Sequence, residues 1–459
     1  MRGEYVDFVV LGGGLAGLTF AQEAGRLGRQ VVVLEAEPQV GGLARTHVFG
    51  DYRFDLGGHR FLSSWPEVTK LVTESLGEGL RRVVRRSRIR LGTRYIDYPL
   101  RLPNVLGAFG FRETSHILTS YLSALLCSKT HPEDTFEDWV VRRFGRRLYE
   151  IYFRPYTEKL WGIPCSELSS DWAGQRIRVP GLTAAVRGSL FRGKSPFATL
   201  ASSFLYPRLG IGGLADSLAA HAQATELVDI RVNSVVVELE FNNQGKSWRV
   251  WYQRAGRAEV VTGQRIVSTI PVTSLLAMLP NREATQGLLQ SLNYRGIICV
   301  MIEIDGPPVS TDTWTYFPDS HVLFGRMHEP RNWSPHMVPA GKTSLCLEIF
   351  CSEGDPVWQT PDAEIARRAL SDLEALDLFD TGRVESIHLV RVPHAYPVYR
   401  KGYCELVKSA RQAIVKWPGL FILGRTGTFT YMNMDAVMAQ ALRLARQLAT
   451  APDVPYYRS

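Results

Sequence analysis

Three glycines close to the start of the chain constrain the fold more than any other feature of the sequence. They form the pattern Gly12-x-Gly14-x-x-Gly17, which follows the apolar run 8–11 and precedes helix-forming residues. The first glycine permits a tight turn, the second lets a pyrophosphate approach the backbone, and the third lets helix and strand pack closely. Free N–H groups at the helix N-terminus then face the phosphates. The pattern predicts the start of a Rossmann-type, dinucleotide-binding domain.

The residue that ends the next apolar run supports this prediction. Val31–Leu34 is followed at once by Glu35, which lies 18 residues after Gly17. A carboxylate at this position can accept hydrogen bonds from both ribose hydroxyls and would repel a 2′-phosphate. We therefore expect a dinucleotide without a 2′-phosphate to contact the turn and the end of this strand, at Gly12, Gly14, Leu15, Ala16, Gly17, Glu35 and Ala36.

The size and composition of the chain set the class of protein. Its 459 residues are too many for one hydrophobic core, so two or three subdomains are expected. Hydrophobic residues make up 45% and charged residues 21%, a balance typical of a globular protein. The net charge of +8 does not by itself indicate a nucleic-acid partner, but it suits an enzyme that attracts phosphorylated substrates.

Cysteine placement and the lengths of the apolar runs bear on location. The six cysteines are scattered, without a Cys-x-x-Cys pattern or a nearby histidine pair. This favours buried thiols in a reducing cytoplasm over a disulfide framework or a zinc site. No apolar run is long enough to span a bilayer, so no stable membrane insertion is expected. The short apolar stretch Ile117–Cys127 is interpreted as a core helix.

The order of helix-like and strand-like segments predicts an α/β fold with a discontinuous cofactor domain. Amphipathic helical stretches and a short basic strand pair follow the first strand–helix–strand unit. Strands alternate with helices further along, and the last apolar strand, Leu420–Leu423, leads into a glycine-rich turn and a helix. The predicted boundaries are 1–66, 205–275 and 415–459 for the Rossmann-type cofactor domain, 67–204 for an inserted, mainly helical domain, and 276–414 for an antiparallel-sheet domain that holds the substrate.

A second glycine-rich segment, Gly41–Arg45, indicates which dinucleotide is bound. Its glycine pair lets the backbone pass beside an extended cofactor, and Arg45 can reach the pyrophosphate or the ring edge. Together with the first glycine turn, this segment resembles the FAD-binding family that includes flavin amine oxidases, protoporphyrinogen oxidase, phytoene desaturases and UDP-galactopyranose mutase. The resemblance implies non-covalent FAD on a GR2-like flavoprotein fold, with contacts at Gly41, Gly42, Leu43, Ala44 and Arg45 and, further along, at Gly57, Gly58, His59, Val235, Gly424, Arg425, Asn433 and Met434.

Within that family the chain looks most like the UDP-galactopyranose mutase branch. Five segments match motifs of this branch in order, at 55–61, 156–162, 324–329, 396–398 and 424–435. The resemblance implies a histidine over the flavin, two arginines on a substrate pyrophosphate and two tyrosines on the substrate, at His59, Arg176, Arg326, Tyr396 and Tyr403. The chain departs from the branch at a second histidine, a glutamine and an aspartate, which are replaced by Leu62, Leu160 and Asn433.

The same side chains allow plainer interpretations. Two arginines on separate segments can clamp a pyrophosphate, and rings such as Trp161, Trp314 and Tyr316 can stack on a base or a sugar face. Equally, Arg176 can form a surface salt bridge, and the tyrosines can be core residues. The basic run 81–90 favours a solvated strand face, with a phosphate-attracting rim as the alternative.

Two enzymatic functions follow from the resemblance, and the residues leave both open. One is pyranose–furanose isomerisation of a nucleotide-linked sugar, with reduced FAD and no net redox change. The other is an amine oxidase-like or protoporphyrinogen oxidase-like oxidoreductase or desaturase, in which oxidised FAD takes a hydride from a sugar, amine or polycyclic substrate. Expected partners are this small molecule and an external electron donor or acceptor such as NAD(P)H or O₂. A homodimer is left open, and no nucleic acid is expected.

A third, non-catalytic function would be a flavoprotein that binds membranes or partners. It would need an exposed amphipathic stretch, and Phe191–Leu205 is the candidate. Because Gly181, Gly188 and Gly193 can act as hinges, this stretch is interpreted instead as a mobile lid over the substrate.

Overall fold

The structure of the protein is a computed structural model that describes residues 4–98, 102–127, 133–176, 202–280 and 282–450. The predicted lid therefore lies outside the described residues, except for 202–205. The strands of the described part are β1 Tyr5–Leu11, β2 Val31–Leu34, β3 Thr46–Phe49, β4 Tyr52–Asp55, β5 Leu80–Val84, β6 Ser87–Leu91, β7 Arg94–Tyr98, β8 Ser203–Pro207, β9 Val228–Arg231, β10 Ser234–Asn242, β11 Ser247–Arg254, β12 Arg257–Ser268, β13 Tyr294–Ile304, β14 Trp314–Tyr316, β15 Arg326–His328, β16 Thr343–Cys351, β17 Val384–Pro397 and β18 Leu420–Ile422.

The helices lie between these strands and cover the sheets. Those of the described part are α1 Leu15–Arg26, α2 Pro66–Leu76, α3 Leu102–Cys127, α4 Phe136–Phe144, α5 Arg146–Leu148, α6 Arg154–Trp161, α7 Ser170–Arg176, α8 Gly212–Gln223, α9 Val272–Met278, α10 Gln286–Ser291, α11 Pro356–Gln359, α12 Asp362–Ala375, α13 Tyr403–Val415, α14 Gly424–Gly427 and α15 Met434–Thr450.

The first sheet joins strands that are far apart in the sequence. Strands β18, β12, β1, β2 and β9 run parallel in that order, and β10 and β11 continue as an antiparallel meander into β12. All four residues of β2 are buried, as expected for a parallel strand that is covered on both faces. Helix α1 packs against α8 and α15. Because parallel strands end at one edge of the sheet, the turns after Leu11, Leu34 and Ser268 meet there.

The second sheet is mainly antiparallel, and all of its strands come from residues outside the predicted cofactor domain. Its strand order is β17, β13, β16, β15, β14, β6 and β7. Strand β16 is buried along its whole length, and Ile365, Ala369 and Leu373 of α12 cover one face of the sheet. The hairpin of β6 and β7 comes from the predicted helical insertion but joins this sheet, where Ser87 pairs with Trp314. The segment predicted as a helical insertion therefore contributes an edge of the second sheet as well as helices.

Helix α3 corrects one expectation from the sequence. Its backbone leaves the helical region at Gly110, with φ 73° and ψ 172°, so two helices meet there. Ile117 and Tyr121 are buried, but the face that carries Leu118, Leu122, Leu125 and Leu126 is exposed. The prediction of a core helix for Ile117–Cys127 is therefore wrong for that face. None of the described helices combines the length and apolar character needed to cross a bilayer.

Candidate active site

The turn after β1 has steric demands that its glycines meet. Gly12 has a φ of 100°, and a Cβ on it would lie 2.4 Å from Oγ1 of Thr269. A Cβ on Gly17 would lie 2.1 Å from the carbonyl oxygen of Gly12, so α1 could not pack as it does. Gly14 precedes α1, which has no side-chain cap and no acidic residue in its first turn. The N–H groups of this helix end are thus oriented to receive an anion.

Glu35 is fixed against this turn. It is 7% exposed, and its Oε2 accepts a hydrogen bond of 2.7 Å from the N–H of Gly13, while Oε1 accepts one of 2.9 Å from the N–H of Glu37. Burial raises the pKa of Glu35, and the two backbone hydrogen bonds oppose that rise. The exposed Val235 lies close by, because the N–H of Ser234 donates to the carbonyl of Glu35 at 2.7 Å. These residues form one end of the site.

The second glycine segment lies directly beside the first. The N–H of Gly41 donates to the carbonyl of Gly13 at 2.8 Å, and Gly41 has a φ of 111°. Nε of Arg45 donates to the carbonyl of Gly42 at 2.9 Å, and its Nη1 lies 3.0 Å from Oε2 of Glu37. Two glycine-rich segments therefore form a floor with little side-chain bulk, which an extended dinucleotide requires.

A buried carboxylate holds the strand that leads from this floor to the second sheet. Asp55 is 2% exposed and accepts hydrogen bonds from Oγ1 of Thr46 and the hydroxyl of Tyr206, both at 2.7 Å, and from the N–H of Ile211 at 3.1 Å. Burial raises the pKa of Asp55 to about 6, against the effect of these donors. The network joins β3, β4 and β8 to the start of α8 and fixes the position where the chain turns toward His59.

His59 follows two glycines that have no room for a side chain. Gly57 has a φ of 81°, and a Cβ on Gly58 would lie 1.4 Å from a ring carbon of Trp314. Nδ1 of His59 donates to the carbonyl of Gly57 at 3.1 Å, since a carbonyl can only accept. Burial, and then the charge of Arg425, lower the pKa of His59 to about 4. At neutral pH the imidazole is therefore uncharged, and its Nε2 is an acceptor.

Arg326 lies near His59, but the protein itself supplies its counter-ion. The register of β15 against β16 places Arg326 directly opposite Glu348, and Nη2 of the arginine is 2.6 Å from Oε2 of the glutamate. The same Nη2 donates to the hydroxyl of Tyr396 at 2.9 Å. Burial alone would lower the pKa of Arg326, but Glu348 raises it well above its ordinary value. The guanidinium is thus charged, 7% exposed and neutralised by an adjacent carboxylate.

Aromatic and imidazole rings surround this ion pair. The Arg326 guanidinium lies 4.6 Å from the ring centre of Phe350 and 5.3 Å from that of Trp314. His328, two residues further along β15 and therefore on the same face as Arg326, stacks near Trp314 at 5.9 Å. Burial, and then the neighbouring His59, lower the pKa of His328 to about 3. The centre of the site therefore holds two neutral imidazoles beside one buried ion pair.

The C-terminal segment closes the site from the side of the first sheet. Gly424, with a φ of 78°, approaches α1 so closely that a Cβ on it would lie 2.9 Å from Cβ of Ala16. Arg425 donates to the carbonyl of Met432 from Nε at 2.9 Å and lies 4.8 Å over the ring of Tyr431. The predicted cofactor contacts at the start of α15 are an exposed Asn433 and a half-buried Met434.

The structure does not bring all the predicted substrate residues together. Tyr396 joins the ion pair, whereas Tyr403 stacks on Tyr399 at 4.2 Å, and no hydrogen bond or ring contact joins it to Arg326 in the described part of the chain. Arg176 ends α7, and its side chain lies outside the described residues.

Lys159 lies in the segment 156–162 that resembles a mutase motif, but its contacts are structural. Its Nζ donates to the carbonyls of Phe317, Asp319 and Phe324 at 2.7–2.9 Å. Burial lowers its pKa to about 8. Lys159 thus anchors the loop between β14 and β15 and so supports Arg326 indirectly.

The residues present fit a non-covalent flavin dinucleotide. One end of the site consists of two glycine-rich segments, an uncapped helix N-terminus and a buried carboxylate. The backbone of Gly57, Gly58 and Gly424 leads from there to the other end, which is lined by aromatic rings. Among the described residues, no group of three or more histidine, cysteine, aspartate or glutamate side chains could hold a metal ion. Fold and site together define a flavin-dependent protein.

Comparison with known families identifies the group more closely. The model of the flavin containing amine oxidoreductase family matches residues 15–449, and the chain therefore belongs to that family. It is an enzyme that uses FAD, as an oxidoreductase or as a flavin-dependent mutase.

Two solved structures resemble it along nearly the whole chain. The reduced form of a UDP-galactopyranose mutase superposes with a TM-score of 0.84 and 21% identity, over 96% of this chain and 93% of that one. A protein provisionally assigned as a protoporphyrinogen oxidase, from Exiguobacterium sp. 255-15, superposes with a TM-score of 0.76 and 17% identity, over 98% and 99%. At these identities the likeness establishes the fold and confirms the predicted fold class.

Matches to curated proteins are more local. A probable UDP-galactopyranose mutase from Klebsiella pneumoniae is 22% identical over 175 residues, which are 36% of this chain and 43% of that protein. An inactive all-trans-retinol 13,14-reductase from Danio rerio is 44% identical over 52 residues, 11% of this chain and 9% of that protein. The matched segments thus span less than half the length of these curated relatives.

Two central residues were missed by sequence reasoning. Glu348 is an acid within a run of otherwise uncharged, fully buried residues, and an isolated charge in such a run signals a buried partner. His328 alternates with Arg326 on a short strand, so the two share a face. Both signals are present in the sequence, but the partner of Glu348 follows only from the pairing of β15 with β16.

Proposed function

We propose that this enzyme binds a nucleotide-linked sugar beside reduced FAD and interconverts its pyranose and furanose forms. The observation that carries the proposal is the position of Arg326, held by Glu348 and Tyr396 next to His59. Nε of Arg326 is buried and has no hydrogen-bond partner among the described residues, so a phosphate oxygen reaches it only if neighbouring side chains move. A planar guanidinium with a remaining donor suits a phosphate oxygen of a bound diphosphate.

Each residue of the site has a stated role in this proposal. When bound, reduced FAD would supply the electron pair for reaction at the anomeric carbon. Arg326 stabilises the charge that grows on the departing diphosphate, and the hydroxyl of Tyr396 orients the guanidinium. The uncharged His59 presents Nε2 to a sugar hydroxyl, because its Nδ1 is held by Gly57. The aromatic rings around Arg326 exclude water from these contacts.

A comparison of redox states tests the proposal. The purified yellow protein, air-oxidised or reduced anaerobically with dithionite, is incubated with UDP-, TDP- and GDP-sugars, and products are separated by chromatography. Isomer formed only by the reduced enzyme is the expected result. No isomer from any of these sugars in either state would reject the mutase.

The contribution of Arg326 is tested with a charge-neutral pair of substitutions. Arg326→Gln combined with Glu348→Gln removes both charges together and avoids a buried, unpaired ion. We expect this variant to keep its flavin and to bind UDP at least about ten-fold more weakly. Unchanged UDP affinity would remove Arg326 from the substrate site.

A second candidate function is oxidation of a neutral or polycyclic substrate. It is favoured by one observation, namely that Glu348 already neutralises Arg326 within an aromatic enclosure. Leu62, which replaces the second histidine of the mutase motif, packs against the cluster of Trp314 and Trp333 and adds apolar surface. Release of peroxide, or stoichiometric reduction of an acceptor by the oxidised enzyme, would support this function over the mutase.

A further inference from the structure

One side of α3 presents a row of large apolar residues to solvent. Phe111 is 92% exposed and Leu126 is 86% exposed. Their spacing with three further leucines brings all five to one side of the helix, while Ile117 and Tyr121 pack inward. Single exposed apolar residues are ordinary, but five on one helix side form a contiguous apolar patch of the kind that marks an interaction surface. We call this patch the apolar stripe, which consists of Phe111, Leu118, Leu122, Leu125 and Leu126.

The apolar stripe adjoins the hairpin of β6 and β7. Strand β7 contacts α3, and Phe109 lines a cavity together with the hairpin turn residues 91–94. Arg94 and Tyr95 are exposed on this hairpin. The guanidinium of Arg88 lies 4.2 Å from the ring centre of Tyr95, and that of Arg90 lies 5.4 Å from it. An exposed tyrosine flanked by arginines therefore lies next to the start of the stripe.

The positive charge of the chain is concentrated in this region. Residues 80–98 contain seven arginines and one aspartate, a net charge of +6 within a chain whose total is +8. Arg90 is buried and Arg88 is paired with Asp312 at 2.6 Å, so the exposed positive charge of this segment lies on its other arginines, of which Arg81, Arg82, Arg86 and Arg94 are exposed. The flavin and substrate contacts described above use none of these arginines. We call residues 80–98 the basic segment. Arginine at this density, beside exposed apolar side chains, complements a surface that is both anionic and apolar.

We propose that the apolar stripe and the basic segment dock the protein on an anionic lipid surface, with α3 lying in the plane of the headgroups. The leucines and Phe111 enter the boundary of the acyl chains, the exposed arginines of the basic segment meet lipid phosphates, and Tyr95 lies at the headgroup level. A second copy of the chain is the weaker fit, because pairing two stripes would bring two basic segments together.

Sedimentation with vesicles tests the proposal on the full, flavin-loaded chain. One set of vesicles is phosphatidylcholine alone, and the other contains phosphatidylglycerol as well. The wild-type protein is expected to sediment with the anionic vesicles at low salt and to be released as salt rises, since the attraction of arginine is screened. Free protein with both vesicle types at low salt would overturn the proposal.

Surface variants distinguish binding through the apolar stripe from nonspecific binding through other exposed apolar residues. Phe111→Ser, Leu122→Ser and Leu126→Ser are combined in one variant, and we expect its apparent affinity for anionic vesicles to fall at least about ten-fold. Val48→Ser with Val237→Ser is the matched control, because these residues are 55% and 45% exposed on strands away from α3, and its binding should not change. Flavin absorbance and circular dichroism verify that both variants are folded.

The same variants distinguish a lipid surface from self-association. Sedimentation equilibrium without vesicles gives the oligomeric state of the wild type and of the triple variant. A wild-type dimer that the triple variant converts to a monomer, without vesicle binding by either protein, would assign the stripe to a dimer interface and reject lipid docking. Vesicle binding equal in the wild type and the triple variant would also reject it.

Discussion

The two ends of the candidate site are built in different ways. The end near Glu35 consists largely of backbone, with Gly12, Gly14 and Gly17 in one turn and Gly41 beside them. The end near His59 consists of side chains, with a buried ion pair, two neutral histidines and several aromatic rings. The end near Glu35 must leave space for a cofactor. The end near His59 must hold charges at fixed positions and exclude water from them.

This difference determines how each end can fail. At the glycine end, a Cβ on Gly12 would overlap the hydroxyl of Thr269 and one on Gly17 would overlap backbone, so a small change has a steric effect. At the ion-pair end, shape can be preserved while charge is removed, so the effect is electrostatic and depends on the partner that remains. Substitutions that separate steric from electrostatic effects therefore test the comparison directly.

The largest effect is expected for Gly17→Ala. The new Cβ would lie 2.1 Å from the carbonyl oxygen of Gly12, so α1 would have to move away from β1. We expect flavin content below about a tenth of wild type and a loss of stability of about 3 kcal/mol or more. Visible flavin absorbance and urea unfolding measure both. Gly213→Ala is the control, since a Cβ there has no atom within 4 Å, and near-normal flavin content in Gly17→Ala would contradict the steric argument.

Glu348→Gln should have the next largest effect. It leaves the guanidinium of Arg326 buried without its carboxylate and should lower the free energy of unfolding by about 3–5 kcal/mol, while the folded protein still binds FAD. Glu240→Gln breaks an ion pair with Arg249 whose side chains are both 46% exposed and should cost less than about 1 kcal/mol. Urea unfolding compares the two. Equal losses would mean that Arg326 is not desolvated in solution.

A pH effect of intermediate size is expected from His328. In the unfolded chain this histidine takes up a proton near pH 6.5, but in the folded protein it does so only near pH 3. Unfolding therefore takes up a proton between these values, and stability falls as the pH is lowered through this window, by about 1.4 kcal/mol per pH unit. His328→Gln should flatten the fall measured by urea unfolding at several pH values. The exposed His221→Gln should leave it unchanged, and an unaltered slope in His328→Gln would refute the assignment.

The smallest effect is expected at two tyrosines that the sequence analysis assigned the same role in substrate binding. Tyr396→Phe removes the hydroxyl that accepts from Arg326 and should weaken UDP binding about five-fold. Tyr403→Phe, which alters a ring stacked on Tyr399, should change it less than about two-fold. Titration calorimetry with the flavin-loaded variants measures both constants. Equal losses would indicate that Tyr403 reaches the substrate through a rearrangement.

Much of the glycine end could be predicted because its requirements are local. A turn between a strand and a helix, its glycines and Glu35 all lie within 24 residues of each other. The parallel order of β1 and β2 follows from this unit and from right-handed crossover connections. The family resemblance added FAD and the approximate region of His59. The ion pair could not be predicted, because Arg326 and Glu348 become neighbours only through the register of two strands.

The solvent exposure of the side chains on α3 also could not be predicted from the sequence. The leucines of α3 match a core helix by composition, and only the packing of Ile117 and Tyr121 inward turns the others to solvent. Likewise, the basic strand pair was assigned to a helical insertion, although β6 pairs with β14 of the second sheet.

By itself, the sequence determined the class of fold, the glycine turn and the use of a flavin, because each depends on steric and hydrogen-bonding needs of residues close along the chain. Only the tertiary structure decided that Glu348 neutralises Arg326, that Tyr396 and not Tyr403 joins them, and that one face of α3 is exposed. The reason is that strand register and helix rotation set these contacts, and both are fixed by packing across the whole molecule.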